Sequence, residues 1–217
     1  MPVKLSFNIN CRKCKRLTKY LKQVKKAHPE YHCKPVDAFG DENAQLLVVG
    51  LAPGLHGANA TGRPFTGDSS GAMLFQTLHK FGFSTLEQSA STEDGMQLSN
   101  CKITNAVKCL PPDNKPIGDE VNTCNKYLSV ELSRLPDNAV IVVLGSVAHK
   151  AVIKAFDLPQ KDYKFAHGAE YHLQTATGHC TIISSYHCSR YNTQTKRLTD
   201  KMFQQVFARA QKLINHV

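Results

Sequence analysis

The sequence has no tryptophan, so Tyr and Phe supply its aromatic rings. Long apolar runs are missing. The longest, such as Ala139 to Leu144, fall far short of the roughly 20 residues that cross a bilayer, which excludes a transmembrane helix. The first residues, MPVKLSFNINC, carry one lysine and no apolar stretch, so no secretory signal is read there. Internal repeats and low-complexity tracts are absent, which excludes solenoid, collagen and coiled-coil architectures. Eight cysteines in 217 residues are too few for a disulfide framework. Without a secretory signal a reducing, cytoplasmic and nucleoid-associated location is expected, and the sequon Asn59-Ala60-Thr61 is set aside.

Acidic residues are also scarce. Seventeen Asp and Glu stand against 27 Lys and Arg, a net charge of +10. Such a surplus suggests a polyanionic partner, most commonly nucleic acid; the other reading is a basic soluble surface. The cations gather early, at Arg12, Lys13, Lys15, Arg16, Lys19, Lys22, Lys25 and Lys26.

What is present is ordinary globular composition, 41% apolar and 20% charged, in a chain long enough to bury a core without disulfides. Four runs read as buried strands: Leu46 to Val49, Cys101 to Thr104, Val140 to Leu144 and Thr181 to Ser184. Their non-alternating, Val/Ile-rich character suits a parallel sheet covered on both faces. Helical stripes alternate with them. One follows Asp68 (Met73, Leu74, Leu78, Phe81), and a second runs Val121, Cys124, Leu128, Leu132 and Leu135. A third is capped by Ser146 (Val147, Ala151, Val152, Ala155), and a fourth by Thr199 (Met202, Phe203, Val206, Phe207, Ala210, Leu213). The alternation predicts one α/β domain over residues 1–217 with a four-stranded parallel sheet, and a basic helix over Arg12 to Lys26 lying on it.

Each strand runs into a distinctive loop, and in open α/β sheets ligands bind at the carboxyl ends of the strands. The first loop, from Gly50 to Gly67, is long and rich in Gly, Pro and Asn. It is neither a Walker A loop nor a dinucleotide fingerprint, since the lysine is missing and the glycine spacing is wrong. Loops of this length inside compact domains are usually functional. Elsewhere Cys11-x-x-Cys14 forms a two-ligand clip, and Cys109 with Cys124 completes a four-thiol set that would tie the basic helix to the core. Four thiolates suit either a [4Fe-4S] cluster or structural zinc. Cys33, Cys101, Cys180 and Cys188 read as buried apolar cysteines.

Four segments together resemble the motifs of the uracil-DNA glycosylase superfamily, nearest to its family 5, with the iron-sulfur family 4 a close relative. They are Gly50-Leu51-Ala52-Pro53-Gly54, Gly62-Arg63-Pro64-Phe65-Thr66-Gly67-Asp68, Thr104-Asn105-Ala106-Val107-Lys108-Cys109-Leu110-Pro111-Pro112 and Ser185-Tyr186-His187-Cys188-Ser189-Arg190. The likeness runs from Cys11 to about Leu198. It implies a three-layer α/β/α sandwich, a [4Fe-4S] cluster on Cys11, Cys14, Cys109 and Cys124, and excision of uracil and other deaminated bases from DNA by a monomer. A monofunctional glycosylase flips its target nucleotide and breaks the sugar–base bond through an oxocarbenium-like sugar. It needs a stacking platform, a reader of the base edge and help for the departing anion. Phe65 is the candidate platform, Asn105 the reader, and His187 the donor that stabilises the anion. Asp68 is either a water activator or the cap of the helix that follows. Gly50, Ala52, Gly54, His56, Ser189 and Arg190 are further substrate-binding candidates; His149 reads as helix surface.

Four positions depart from the pattern. Leu51 and Ala52 are apolar where relatives carry an acid or Asn, which removes the usual water activator and suits a broader range of bases, purines included. Cys188 stands where Pro is usual, and Ala60 where Arg is frequent. The missing acid keeps open an alternative, a non-catalytic iron-sulfur or zinc protein that binds damaged DNA.

Overall fold

The computed structural model describes residues 7–215. In chain order the elements are α1 (Lys15–Ala27), β1 (Phe39–Gly40), β2 (Leu46–Gly50), α2 (Ala58–Thr61), α3 (Ser69–Lys80), β3 (Cys101–Asn105), α4 (Gly118–Leu132), β4 (Ala139–Leu144), α5 (Ser146–Ala155), β5 (Glu170–Thr175), β6 (Gly178–Ser185), α6 (Arg190–Gln194) and α7 (Asp200–Asn215), with a 3-10 turn at Pro112–Asn114. The strands form one sheet in the order β1-β3-β2-β4-β6-β5. The four expected strands, β2, β3, β4 and β6, are its parallel centre.

The sheet has six strands rather than four. Antiparallel β1 and β5 close its two edges. β1 is only two residues long, and β5 exposes polar side chains between its apolar ones, so neither makes an apolar run. β5 and β6 are a hairpin joined by Ala176-Thr177, with Thr175 paired to Gly178.

Both faces of the sheet are covered, giving the three expected layers. Leu46, Val48, Val140, Val142 and Ile183 pack under α3 and α7 through Leu74, Phe75, Phe203 and Phe207. Leu47, Val49, Ile141, Val143 and Ile182 pack under α4 and α5 through Leu128, Leu132, Ala151 and Val152. Each fully buried aliphatic or aromatic side chain contributes about 1.5–3 kcal/mol, so these two interfaces carry the stability of the fold. Thr199 caps α7, accepting from the Met202 N–H. Ser146 does not cap α5: Gly145, at φ 94°, holds that position and Ser146 is the first helical residue.

The basic helix starts at Lys15, not Arg12. Its Leu17, Leu21 and Val24 fall on one stripe and are buried beside Cys124, Tyr127, Cys33 and Leu110. Its lysines stay in solvent. A two-pronged Arg16–Glu120 pair, at 2.8 and 2.7 Å, fastens α1 to the first turn of α4. No helix among the described residues is long and apolar enough to cross a membrane.

Candidate active site

Strand β2 connects leftward to β3 and β4 connects rightward to β6, so a crevice opens where the two connections diverge. A cavity of about 410 Å³ lies there, at the carboxyl ends of β2, β3, β4 and β6. Its lining includes Ala52, Gly54, Phe65, Asp68, Asn105, His187 and Ser189, seven of the residues singled out from the sequence.

Asn105 ends β3 directly opposite Gly50 at the end of β2. Its side chain is buried, and its Oδ1 has no hydrogen-bond partner. An orphaned buried acceptor costs on the order of 1–3 kcal/mol, so such a group in a cavity marks a place for a ligand donor. Gly50 does not line the cavity but makes room for Asn105: a Cβ there would collide with Asn105 Oδ1 and stand 2.6 Å from the Phe65 ring. Phe65 is itself 6% exposed and sits at φ 56°, a strained region for a bulky residue. The loop holds it there through Arg63, whose guanidinium donates to Ser91 O, Thr92 O and Asp94 at 2.6–2.8 Å.

The His187 ring lies 6.2 Å from the Phe65 ring, tilted 24° from parallel. Burial pushes its pKa down to about 4, and no hydrogen bond or nearby charge offsets this, so the imidazole is neutral at pH 7. Its backbone is pinned by Asn192, whose Nδ2 donates to His187 O at 2.8 Å.

Asp68 is the helix cap: its Oδ1 accepts the Gly71 N–H at 2.9 Å at the start of α3. It also lines the cavity, and its Oδ2 faces the Gly54–Gly57 turn. Burial raises its pKa, against the opposing N–H groups of Gly71 and Ser70.

Two candidates lie elsewhere. His56 is exposed and accepts or donates at 2.8 Å with the Tyr31 hydroxyl, in a surface cluster with His28, outside the cavity lining. Arg190 begins α6 on the exposed side, also outside the lining. His149 is not helix surface. It is 1% exposed, held between the Ser184 hydroxyl at 2.9 Å and the Tyr163 carbonyl at 2.8 Å, and is a satisfied core residue. The sequence reading missed Phe165, Tyr186, Asn192 and Arg197 as lining residues. Tyr186 adjoins His187, which was the available signal.

The four singled-out thiols share a second place. Cys11, Cys14, Cys109 and Cys124 line a small cavity of about 20 Å³ walled by Leu17, Val107 and Tyr127. Burial, then the neighbouring thiols and Glu120, push Cys14 up to about 11; burial and the neighbouring thiols raise Cys109 too. Burial raises Cys124 against the Lys108 N–H, which donates to its Sγ at 3.3 Å. Among the described residues no three His, Cys, Asp or Glu side chains are gathered closely enough to grip a lone metal ion.

An α/β/α sandwich with an orphaned amide, a half-buried neutral imidazole and an aromatic ring converging at the strand ends is the pattern of a base-binding enzyme. The profile of the Uracil DNA glycosylase superfamily matches residues 38–211, and the chain belongs to that family. It is 44% identical to the type-5 uracil-DNA glycosylase of Thermus thermophilus, over 94% of this chain and 93% of that one. It is 40% identical to the type-5 uracil-DNA glycosylase of Pyrobaculum aerophilum, over 93% and 88%. The type-4 uracil-DNA glycosylase of Archaeoglobus fulgidus is 29% identical, over 82% and 76%.

Proposed function

We propose that this chain excises uracil, and deaminated purines such as hypoxanthine and xanthine, from DNA by hydrolysing the bond between base and sugar. The observation that carries the reading is the buried, unpartnered Oδ1 of Asn105, a residue in the wall of a cavity shared with Phe65 and a neutral His187. An amide both accepts and donates, so Asn105 pairs with the adjacent N–H and carbonyl of a flipped pyrimidine. Phe65 stacks on the base, worth on the order of 1–3 kcal/mol. Because His187 is uncharged, it acts as an N–H donor to a base carbonyl, where negative charge builds as the glycosidic electron pair leaves with the base. Asp68 commits one oxygen to capping α3 and holds the other against the Gly54–Gly57 turn at the cavity wall, beside the sugar of a flipped nucleotide. There it stabilises the oxocarbenium and orients the water that adds hydroxide to C1′ and yields its proton to the departing base. A 410 Å³ cavity, with apolar Leu51 and Ala52 on its wall, leaves room for a purine.

We further propose that Cys11, Cys14, Cys109 and Cys124 hold a [4Fe-4S] cluster. Four thiols around one apolar cavity, Cys124 buried and the other three half-buried, fit a group that replaces their protons, and the resemblance to the iron-sulfur branches of the superfamily favours a cluster over a single zinc ion. The cluster supplies cross-linking: it would join the segment leading into α1 to the loop after β3 and to α4. The chain acts on DNA as a monomer, with Arg190 contacting the strand.

The test is excess enzyme on duplexes carrying one uracil or one hypoxanthine, followed by alkali. Strand scission at the lesion is expected. Tight lesion binding without scission would overturn the reading in favour of a damage-binding protein.

A further inference from the structure

Among the described residues lining the active-site cavity there is one cation, Arg197. It lies in the turn between α6 and α7, exposed, and pairs with no carboxylate among the described residues. Its guanidinium carbon sits 4.7 Å from the Tyr186 ring centroid, a cation–π arrangement. Tyr186 also stacks on His167, 5.1 Å away and 23° from parallel. Its backbone N–H in turn donates to His167 Nδ1 at 3.2 Å. Tyr186 is therefore fixed by His167, and it holds the flat fork of Arg197 at the cavity wall one residue from His187.

Two other arginines, buried Arg63 and exposed Arg16, are already paired. Arg63 serves Asp94 and the carbonyls of residues 91 and 92, and Arg16 serves Glu120. Arg197 has a platform and no counter-ion. A stacked, preorganised guanidinium loses little side-chain freedom on pairing and matches the geometry of a phosphate in two-pronged fashion. A base inside the cavity offers neutral edges to Asn105 and His187, whereas the backbone it remains attached to must cross the mouth.

We propose that Arg197, held on Tyr186, clamps the phosphodiester next to the flipped nucleotide. This rests on the reading of the cavity as a base-excision site. The guanidinium pairs with a backbone phosphate and takes no part in bond breaking.

The test uses the full chain and duplexes carrying one uracil, with one backbone phosphate at a time replaced by a neutral methylphosphonate. Wild-type excision of the unmodified duplex establishes the base-excision reading first; its failure would sink that reading rather than this one. Arg197→Ala is expected to weaken binding about tenfold. It should reduce the slope of log affinity against log salt by about 0.9, the signature of one lost phosphate contact. The single-turnover rate at saturating enzyme should stay within about threefold. At one phosphate beside the lesion, methylphosphonate should weaken wild type about tenfold and leave Arg197→Ala unaffected. Arg197→Lys should restore the salt slope without restoring full affinity, since an ammonium cannot make the fork. An unchanged salt slope in a folded Arg197→Ala protein would overturn the proposal, as would equal methylphosphonate sensitivity of wild type and variant at every position. A fall in the saturating rate with unaltered binding would also overturn it, because that would put Arg197 on the base.

Discussion

Gly50 and Asn105 are paired neighbours at the ends of parallel strands β2 and β3, and the missing side chain of one makes the space for the other. A Cβ on Gly50 would strike Asn105 Oδ1 and the Phe65 ring together. Gly50→Ala should therefore fold, since the strand pairing is untouched, yet turn the amide away from the base. A fall in uracil excision of at least about 100-fold is expected, from the 1–3 kcal/mol carried by each of the displaced contacts. Single-turnover rates with circular dichroism as the fold control check it; normal excision would show that Asn105 does not read the base.

The pH behaviour of His187 has a definite sign. Its pKa in the folded chain is about 4, against an ordinary value of 6.5. Between those limits the unfolded chain binds a proton that the folded chain does not, so the imidazole costs nothing above pH 6.5 and destabilises the fold progressively as the pH falls from 6.5 toward 4. Wild type should lose more melting temperature than His187→Ala between pH 7 and pH 4.5. The excision profile should show no acid limb near 6.5 from this residue. Equal pH dependence of melting in the two proteins would mean that the ring is solvated.

Asp68 performs two separable tasks. Its cap to Gly71 survives in Asp68→Asn, because Asn caps as well as Asp, whereas its charge does not. Asp68→Asn should hold stability within about 0.5 kcal/mol and still slow excision by about two orders of magnitude or more. Asp68→Ala should lose about 1 kcal/mol in addition. Denaturant melts beside single-turnover rates distinguish the tasks, and full activity in Asp68→Asn would leave only the cap.

Purified protein should contain about four irons per chain and absorb visibly. Cys109→Ser should bleach it and expose α1 to trypsin, whose cleavage sites Lys19, Lys22, Lys25 and Lys26 are already in solvent. The Arg16–Glu120 pair remains as a second fastening, so the rest of the fold should persist. Stoichiometric zinc in colourless protein would replace the cluster by a metal ion.

The parallel centre of the sheet was legible because both its faces are buried and the strands became unbroken Val/Ile runs. β5 was not, because one of its faces meets solvent and its Tyr171 and Leu173 alternate with the exposed polar residues His172 and Gln174. His149 was misread for a related reason. The apolar stripe read on α5 begins at Val147, which is 37% exposed beside the cavity, while His149 points inward. A periodicity argument counts a histidine as polar; it has no term for the Ser184 and Tyr163 partners that satisfy it. Asn105, His187 and Phe65 were found through motifs at strand ends. Arg197 was not, because its link to the site is the Tyr186 ring, a contact between the last sheet strand's loop and a later turn.

The most direct test is the release of free uracil from a singly substituted duplex under single-turnover conditions, with wild type, Asn105→Ala and His187→Ala side by side. Wild type should release one uracil per duplex and leave an alkali-labile abasic site, while both variants, folded and binding DNA, should be slower by at least about 100-fold. Release of uracil at the wild-type rate by either variant, or its retention by iron-loaded wild type, would contradict the account.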